Sequence, residues 1–253
     1  MKEETESGVI LGVDISTSTI GICMLEDDGT DFGRILKFAA LKPSTPFEIK
    51  GIEALFMKKR DFMHKIDEIT NGYDIARIVI EAPLPQSNNL KTVVTLLQFN
   101  GMVSDMLYEL FGVIPEYISS YEARKYAFPQ LLGIRKFAKN GDIHSSNKII
   151  SSVKKSKFVL FGSYMWDIAK KEVVQGIVAD NFPQIQWLYD ATGRFMKENY
   201  DSTDAYVACL GKMKKDKFGE LSPIASNVVI NEDSIEFDML YWDKKEHKKI
   251  TFF

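Results

Sequence analysis

Cysteine and histidine are scarce in this chain of 253 residues, which holds two of the former and three of the latter. The thiols, Cys23 and Cys209, lie far apart and form no Cys-x-x-Cys pair. That spacing excludes a disulfide scaffold and predicts small core thiols in a reducing compartment. His64, His144 and His247 are scattered, and no pair has the spacing of metal ligands. Long apolar runs are missing as well. None approaches the roughly 20 residues of a membrane span, and the N-terminal MKEETES is polar and acidic, unlike a secretory signal. A soluble, cytoplasmic protein with no membrane partner is expected. Neither sign of charge dominates. The formal net charge of −3 excludes a uniformly basic coat, so any basic surface must be local.

What is present is a core. Hydrophobic residues make up 45% of the chain, enough for one large domain or a domain with an elaboration. Val9 to Val13 reads as a buried strand that runs directly into a carboxylate, Asp14. A Ser/Thr-rich turn, Ser16 to Thr19, leads to a second apolar run, Ile20 to Leu25, and Arg34 to Leu41 completes a three-strand antiparallel meander. Apolar residues at helical spacing predict a helix over Ile49 to Thr70, stopped by Asn71-Gly72. Ile78-Val79-Ile80 is a further short buried strand with Glu81 at its end, and Pro83 and Pro85 forbid its extension. Open α/β sheets place ligands at the carboxyl ends of their strands.

The pattern then predicts an amphipathic helix over Asn89 to Phe111, a strand over Val113 to Ile118, and a short helix from Ser120, read as its cap, to Phe128. Helices are expected over Trp166 to Phe182, over Gln184 to Asn199 and from Asp201 through Lys214. From Leu221 the sequence alternates, predicting a terminal β-ribbon or small sheet. The expected organisation is a catalytic-type α/β domain over 1–217 and a β extension over 218–253. Between about 131 and 164 lies a basic insert. Within its span Leu132 to Leu160, Arg135, Lys136, Lys139, Lys148, Lys154, Lys155 and Lys157 stand against one acid, Asp142. Such segregation is the footprint of a polyanion contact and makes these seven candidate DNA-binding residues.

The acids carry the chemistry. Asp201 and Asp204 are three apart, so they share one helix face, and a position at a helix start favours their ionised form. An isolated acidic first turn is ordinarily a cap, and a lone strand-end acid ordinarily just turns the chain. Two strand-end acids together with Asp201-x-x-Asp204 are instead what a two-metal site needs. Hard divalent cations take oxygen ligands, and two of them roughly 4 Å apart stabilise both the attacking and the leaving oxygen of a phosphoryl displacement.

The ordered set of motifs resembles the RuvC-like Holliday junction resolvases of the RNase H-like superfamily. ILGVDISTSTIGICML, IVIEAP followed by the helix with LLQFNG, VIPEYIS with EARKYAF, KKEVVQGIV, and DSTDAYVAC occur in family order. The resemblance implies an RNase H-like α/β fold: a mixed sheet, antiparallel meander plus parallel strands, flanked by helices. It implies a homodimer built on the helix Asn89 to Phe111, and cleavage of four-way DNA junctions with Mg²⁺, for which Mn²⁺ substitutes. By motif, Asp14, Glu81, Asp201 and Asp204 are the implied catalytic residues and metal ligands. Lys170 or Lys171 is the implied phosphate-neutralising base, and the alignment does not choose between them. No small-molecule cofactor is implied.

The chain also departs from the family. Many relatives carry an aromatic wedge shortly after the Glu, where this chain offers Leu84. The insert and the tail are extra. A related nuclease acting on flap DNA or RNA, and a RuvC-like scaffold that binds DNA without cutting it, are the alternatives. An actin-like sugar kinase would need a second glycine-rich phosphate motif, and none follows.

Overall fold

The computed structural model describes residues 8–83, 89–128, 158–160, 163–165, 170–218, 221–230, 235–243 and 248–250. The central sheet has five strands: β1 (Val9–Ile15), β2 (Ile20–Glu26), β3 (Arg34–Leu41), β4 (Ile75–Glu81) and β5 (Glu116–Ile118). Their order is β3-β2-β1-β4-β5. The first three pair antiparallel, and β4 adds parallel to β1 and β5 parallel to β4. The expected mixed sheet is therefore present. β5 is shorter than the Val113 to Ile118 run predicts, because Pro115 has no N–H to give a ladder.

Both faces of the sheet are covered, so its strands read as continuous apolar runs rather than alternating ones. One face carries Leu11, Val13, Ile20, Ile22, Ile78 and Ile80 against α1 (Gly51–Thr70) and α2 (Leu90–Phe111). The other carries Ile10, Cys23, Leu25 and Val79 against α3 (Ser120–Ala127), α4 (Lys170–Asn181) and α5 (Lys197–Phe218). Cys23 and Cys209 are both free and buried on this second face.

Three expectations are corrected. The helix expected over Gln184 to Asn199 does not form before Lys197. Instead the segment folds back on itself, with a bridge between Tyr189 and Phe195. Its turn is set by the Asp190 carboxylate, which accepts from the N–H groups of Thr192 (2.7 Å) and Arg194 (3.0 Å), and by Gly193 at φ 80°. Side-chain acceptance of this kind competes with helix formation. Secondly, Asp201 does not open a helix. It is the fifth residue of α5, a full turn inside it. Thirdly, the cap of α3 is Ser119, whose side chain accepts from Glu122 N–H at 3.2 Å, leaving Ser120 for another role.

Short strands β6 (Phe158–Leu160) and β7 (Ser163–Met165) pair antiparallel. The tail forms a three-stranded antiparallel sheet of β8 (Leu221–Ile230), β9 (Ile235–Asp243) and β10 (Lys248–Ile250) in the order β10-β9-β8. The seven basic residues of the insert, and Leu84, lie outside the described residues. Among the described residues no helix is long and apolar enough to cross a membrane.

Candidate active site

Strand register decides where the acids point. Asp14 pairs with Gly21 across β1–β2, and Val13 pairs with Ile80 across β1–β4. Residues directly opposite share a face, and faces alternate along a strand. Gly12, Asp14, Gly21 and Cys23 are thus on one face, with Val79 and Glu81 beside them. This is the face α5 covers. Two glycines let α5 lie down on it. A Cβ on Gly12 would collide with the carbonyl of Ala205 and the Cys209 sulfur, and one on Gly21 with the backbone of Asp201. The helix therefore rests backbone-to-backbone on β1 and β2. Asp201 and Asp204 are brought to the end of the strand that carries Asp14.

The turn after Asp14 is fixed at both ends. Ser16 Oγ accepts from Thr19 N–H at 3.0 Å and donates to the Thr19 carbonyl at 2.7 Å. Lys58 of α1 donates to the Thr17 carbonyl at 2.5 Å. On the other side α4 is pinned to α5 by Thr203 Oγ1 donating to Gln175 Oε1 at 2.5 Å. One turn earlier on α4, Lys171 then meets Asp204, Nζ to Oδ2 at 2.5 Å. Arg124 of α3 reaches the same carboxylate, Nη2 to Oδ1 at 3.2 Å.

The four acids feel one another. Burial first, then the charges of Glu81, Asp204 and Asp201, hold the Asp14 carboxyl well above the ordinary range, with Lys171 opposing. Glu81 is pushed up to about 7, by burial and then by Asp204, against the lowering influence of Arg124, a hydrogen bond from Ser120, and Lys171. Burial also raises Asp201. The sequence-based expectation that a helix start would favour ionised Asp201 is therefore reversed. The residue sits past the first turn, where the dipole has faded, and desolvation dominates.

All donors here are carboxylate oxygens, which suit a hard divalent cation. Asp201 Oδ2 is buried and has no hydrogen-bond partner among the described residues, which leaves an acceptor open to a donor or a cation. In kind and in charge the residues fit such an ion. Their arrangement does not preform its shell: no group of three or more His, Cys, Asp and Glu among the described residues is set to hold a metal ion. Lys171 and Arg124 instead bring positive charge to Asp204.

The sequence-predicted residues Asp14, Glu81, Asp201, Asp204 and Lys171 thus converge. Lys170 begins α4, and its side chain lies outside the described residues. Sequence reading gave no role to Arg124 and cast Ser120 only as the cap of α3. Arg124 was nevertheless inside the EARKYAF stretch, where a cation on a short helix beside the Glu81 strand was the available signal.

No family model and no curated protein matches the chain. Solved structures do. RuvC of T. thermophilus, in complex with a Holliday junction substrate, is similar at TM-score 0.52 and 12% identity, over 83% of this chain and 96% of that one. Another Thermus thermophilus RuvC structure matches at TM-score 0.47 and 14% identity, over 83% of this chain and 96% of the other. The yeast mitochondrial Holliday junction resolvase Ydc2 matches at 0.47 and 11%, over 82% and 78%. With the five-strand order and the helices on both faces, the first of these likenesses shows that the chain has the RuvC-like, RNase H-like α/β fold.

Proposed function

We propose that the protein is a divalent-metal-dependent endonuclease that resolves four-way DNA junctions by paired phosphodiester hydrolysis, acting as a homodimer. The observation that carries this reading is the convergence of four carboxylates from β1, β4 and α5 on one sheet face, with Lys171 and Arg124 beside them. The fold supports it, since the RuvC it resembles was solved with a Holliday junction substrate.

Asp14, Glu81, Asp201 and Asp204 would hold Mg²⁺ or Mn²⁺. Such an ion, when bound, supplies Lewis-acid stabilisation to the attacking and leaving oxygens of a phosphodiester. The protein's own groups do the rest. Lys171 and Arg124, gathered on one Asp204 carboxylate, place two cations where a scissile phosphate's non-bridging oxygens need neutralising. Glu81, pushed up to about 7, is close to half-protonated near neutral pH and would release that proton on holding a cation. Ser120 orients that carboxylate from the cap end of α3.

The test is cleavage of a labelled four-way junction beside duplex, flap and single strand, with Mg²⁺, Mn²⁺ or EDTA. Metal-dependent, symmetric nicks confined to the junction are expected. Asp14→Asn, Glu81→Gln and Asp204→Asn should each lose about 10³-fold or more in cleavage while still binding the junction, as expected for removal of several kcal/mol of charge stabilisation. Full activity in any of the three overturns the assignment.

A further inference from the structure

The loop that replaced the expected helix has no part in the site above, yet it is heavily built. Trp187 stands edge-on to Phe38 at 5.1 Å and to Phe195 at 6.1 Å, and its Nε1–H donates to the Phe182 carbonyl at 3.2 Å. Asn199 of α5 clamps the backbone of Leu188 in both directions, accepting from its N–H at 3.1 Å and donating to its carbonyl at 2.5 Å. Met196 N–H donates to the Leu188 carbonyl at 2.9 Å, and Asp190 N–H to the Arg194 carbonyl at 2.8 Å. So much anchoring fixes a loop whose tip is not buried.

What the anchoring presents is a ring. Tyr189 stacks on Phe195, centroids 5.0 Å apart and planes inclined 29°. Phe195 covers one face of the tyrosine. Tyr189 is nonetheless 52% exposed, so much of the side chain beyond that contact is open to solvent. Beside it opens a cleft of about 740 Å³ lined by Asp190, Gly193, Arg194, Phe195, Lys197 and Tyr200. Its charge is biased. Asp190 is committed to Thr192 and the Arg194 N–H, and neighbouring Glu198 is paired with Lys42, whereas Arg194 and Lys197 are exposed. Lys197 is four residues, one helical turn, before Asp201 and lowers the pKa of that acid. The ring platform is therefore next to the catalytic end of α5.

An exposed, preorganised aromatic face flanked by cations is what an unpaired nucleobase and its phosphate need. Every base has a π face to stack, and the cations follow the backbone. We infer that Tyr189, supported by Phe195 and flanked by Arg194 and Lys197, is a stacking platform for an unpaired base of the DNA, next to the metal-binding acids. The choice of DNA rests on the nuclease reading. The platform itself rests on the loop.

The test places 2-aminopurine at the branch point of a four-way junction and in a matched duplex, and measures fluorescence and affinity in an Asp14→Asn background. Adding Tyr189→Ala should abolish the quenching at the branch point. It should weaken junction binding about 5- to 100-fold with duplex binding unchanged. Tyr189→Phe, which keeps the ring, should restore both. Because the ring is half-exposed, Tyr189→Ala should melt with the parent, and a matched melting curve guards against simple unfolding. Unchanged quenching and affinity in Tyr189→Ala overturn the platform. Wild-type cleavage, run in parallel, separates the two readings. Quenching by Tyr189 without any cutting removes the nuclease and keeps the platform. Junction cutting with no effect of Tyr189→Ala does the reverse.

Discussion

Glu81 shows what a single carboxylate gives up to sit in this site. Its ordinary pKa of 4.5 rises to about 7, with burial the first cause and Asp204 the second. Between those two values the folded protein holds a proton that the unfolded chain has released. Stability therefore falls as pH rises from about 4.5 through 7, and the penalty is complete above that window. Asp14 and Asp201, raised for the same first reason, act with the same sign. Melting in EDTA should thus give a higher Tm at pH 5.5 than at pH 8. Glu81→Gln should flatten the curve and raise Tm at pH 8 by about 5 °C, on the order of 2 kcal/mol. A wild-type Tm that climbs between pH 5.5 and 8, or a Glu81→Gln protein less stable than its parent at pH 8, would refute the claim that burial and neighbouring charge disfavour the ionised acids in the metal-free protein. Asp14 and Glu81 could be read from sequence because an acid ending an apolar strand is a local pattern. Arg124 and Ser120 could not, since their roles depend on where α3 lands relative to β4, which no local spacing encodes.

Elements were legible in proportion to how far their periodicity decided them. The meander, α1 and α2 follow from runs of apolar residues with turn residues between them, and they stand where the pattern puts them. Residues 184–196 were misread because apolar Ile185, Trp187 and Leu188 fit a helical period, while the Asp190 carboxylate and Gly193 imposed a turn. The seating of α5 was invisible for a different reason: it depends on side chains that are absent. At Gly21 a Cβ would fall on the Asp201 backbone, and neither a strand nor a helix held by its own hydrogen bonds can shift cheaply. Gly21→Ala should therefore cost about 1–3 kcal/mol and lower cleavage by displacing Asp201 and Asp204 from Asp14. Gly176→Ala is the matched control. A Cβ there meets nothing within 4 Å among the described residues, and alanine suits a helix better than glycine, so stability should hold or improve. Thermal melts and cleavage rates of the two variants decide the point; equal behaviour would mean α5 does not need the glycine to place its acids.

At the scale of the whole molecule the question is what covers α2. The helix has two apolar faces. Val93, Phe99, Val103, Met106 and Leu107 are buried against the sheet, whereas Leu90, Val94, Leu97 and Tyr108 are exposed. Leu90, Val94, Leu97, Gly101 and Tyr108 are spaced four, three, four and seven residues apart and so fall along one line, the geometry of a helix–helix seam. Gly101 falls on that line, and a Cβ there would meet nothing within 4 Å among the described residues, none of which uses the close approach a glycine permits. A second copy, packing α2 on α2 about a twofold axis, would cover this stripe and point two identical sites at the two strands of a symmetric junction. Leu97→Asp tests it. Leu97 is 47% exposed, so the charge should leave the fold and Tm of the monomer unchanged. In light scattering the wild type should show twice the 28.8 kDa chain mass and the variant the chain mass alone. On the junction, paired cuts should give way to single, uncoupled nicks. A wild type that is monomeric at micromolar concentration and still cuts both strands together would show that pairing of the cuts does not come from α2.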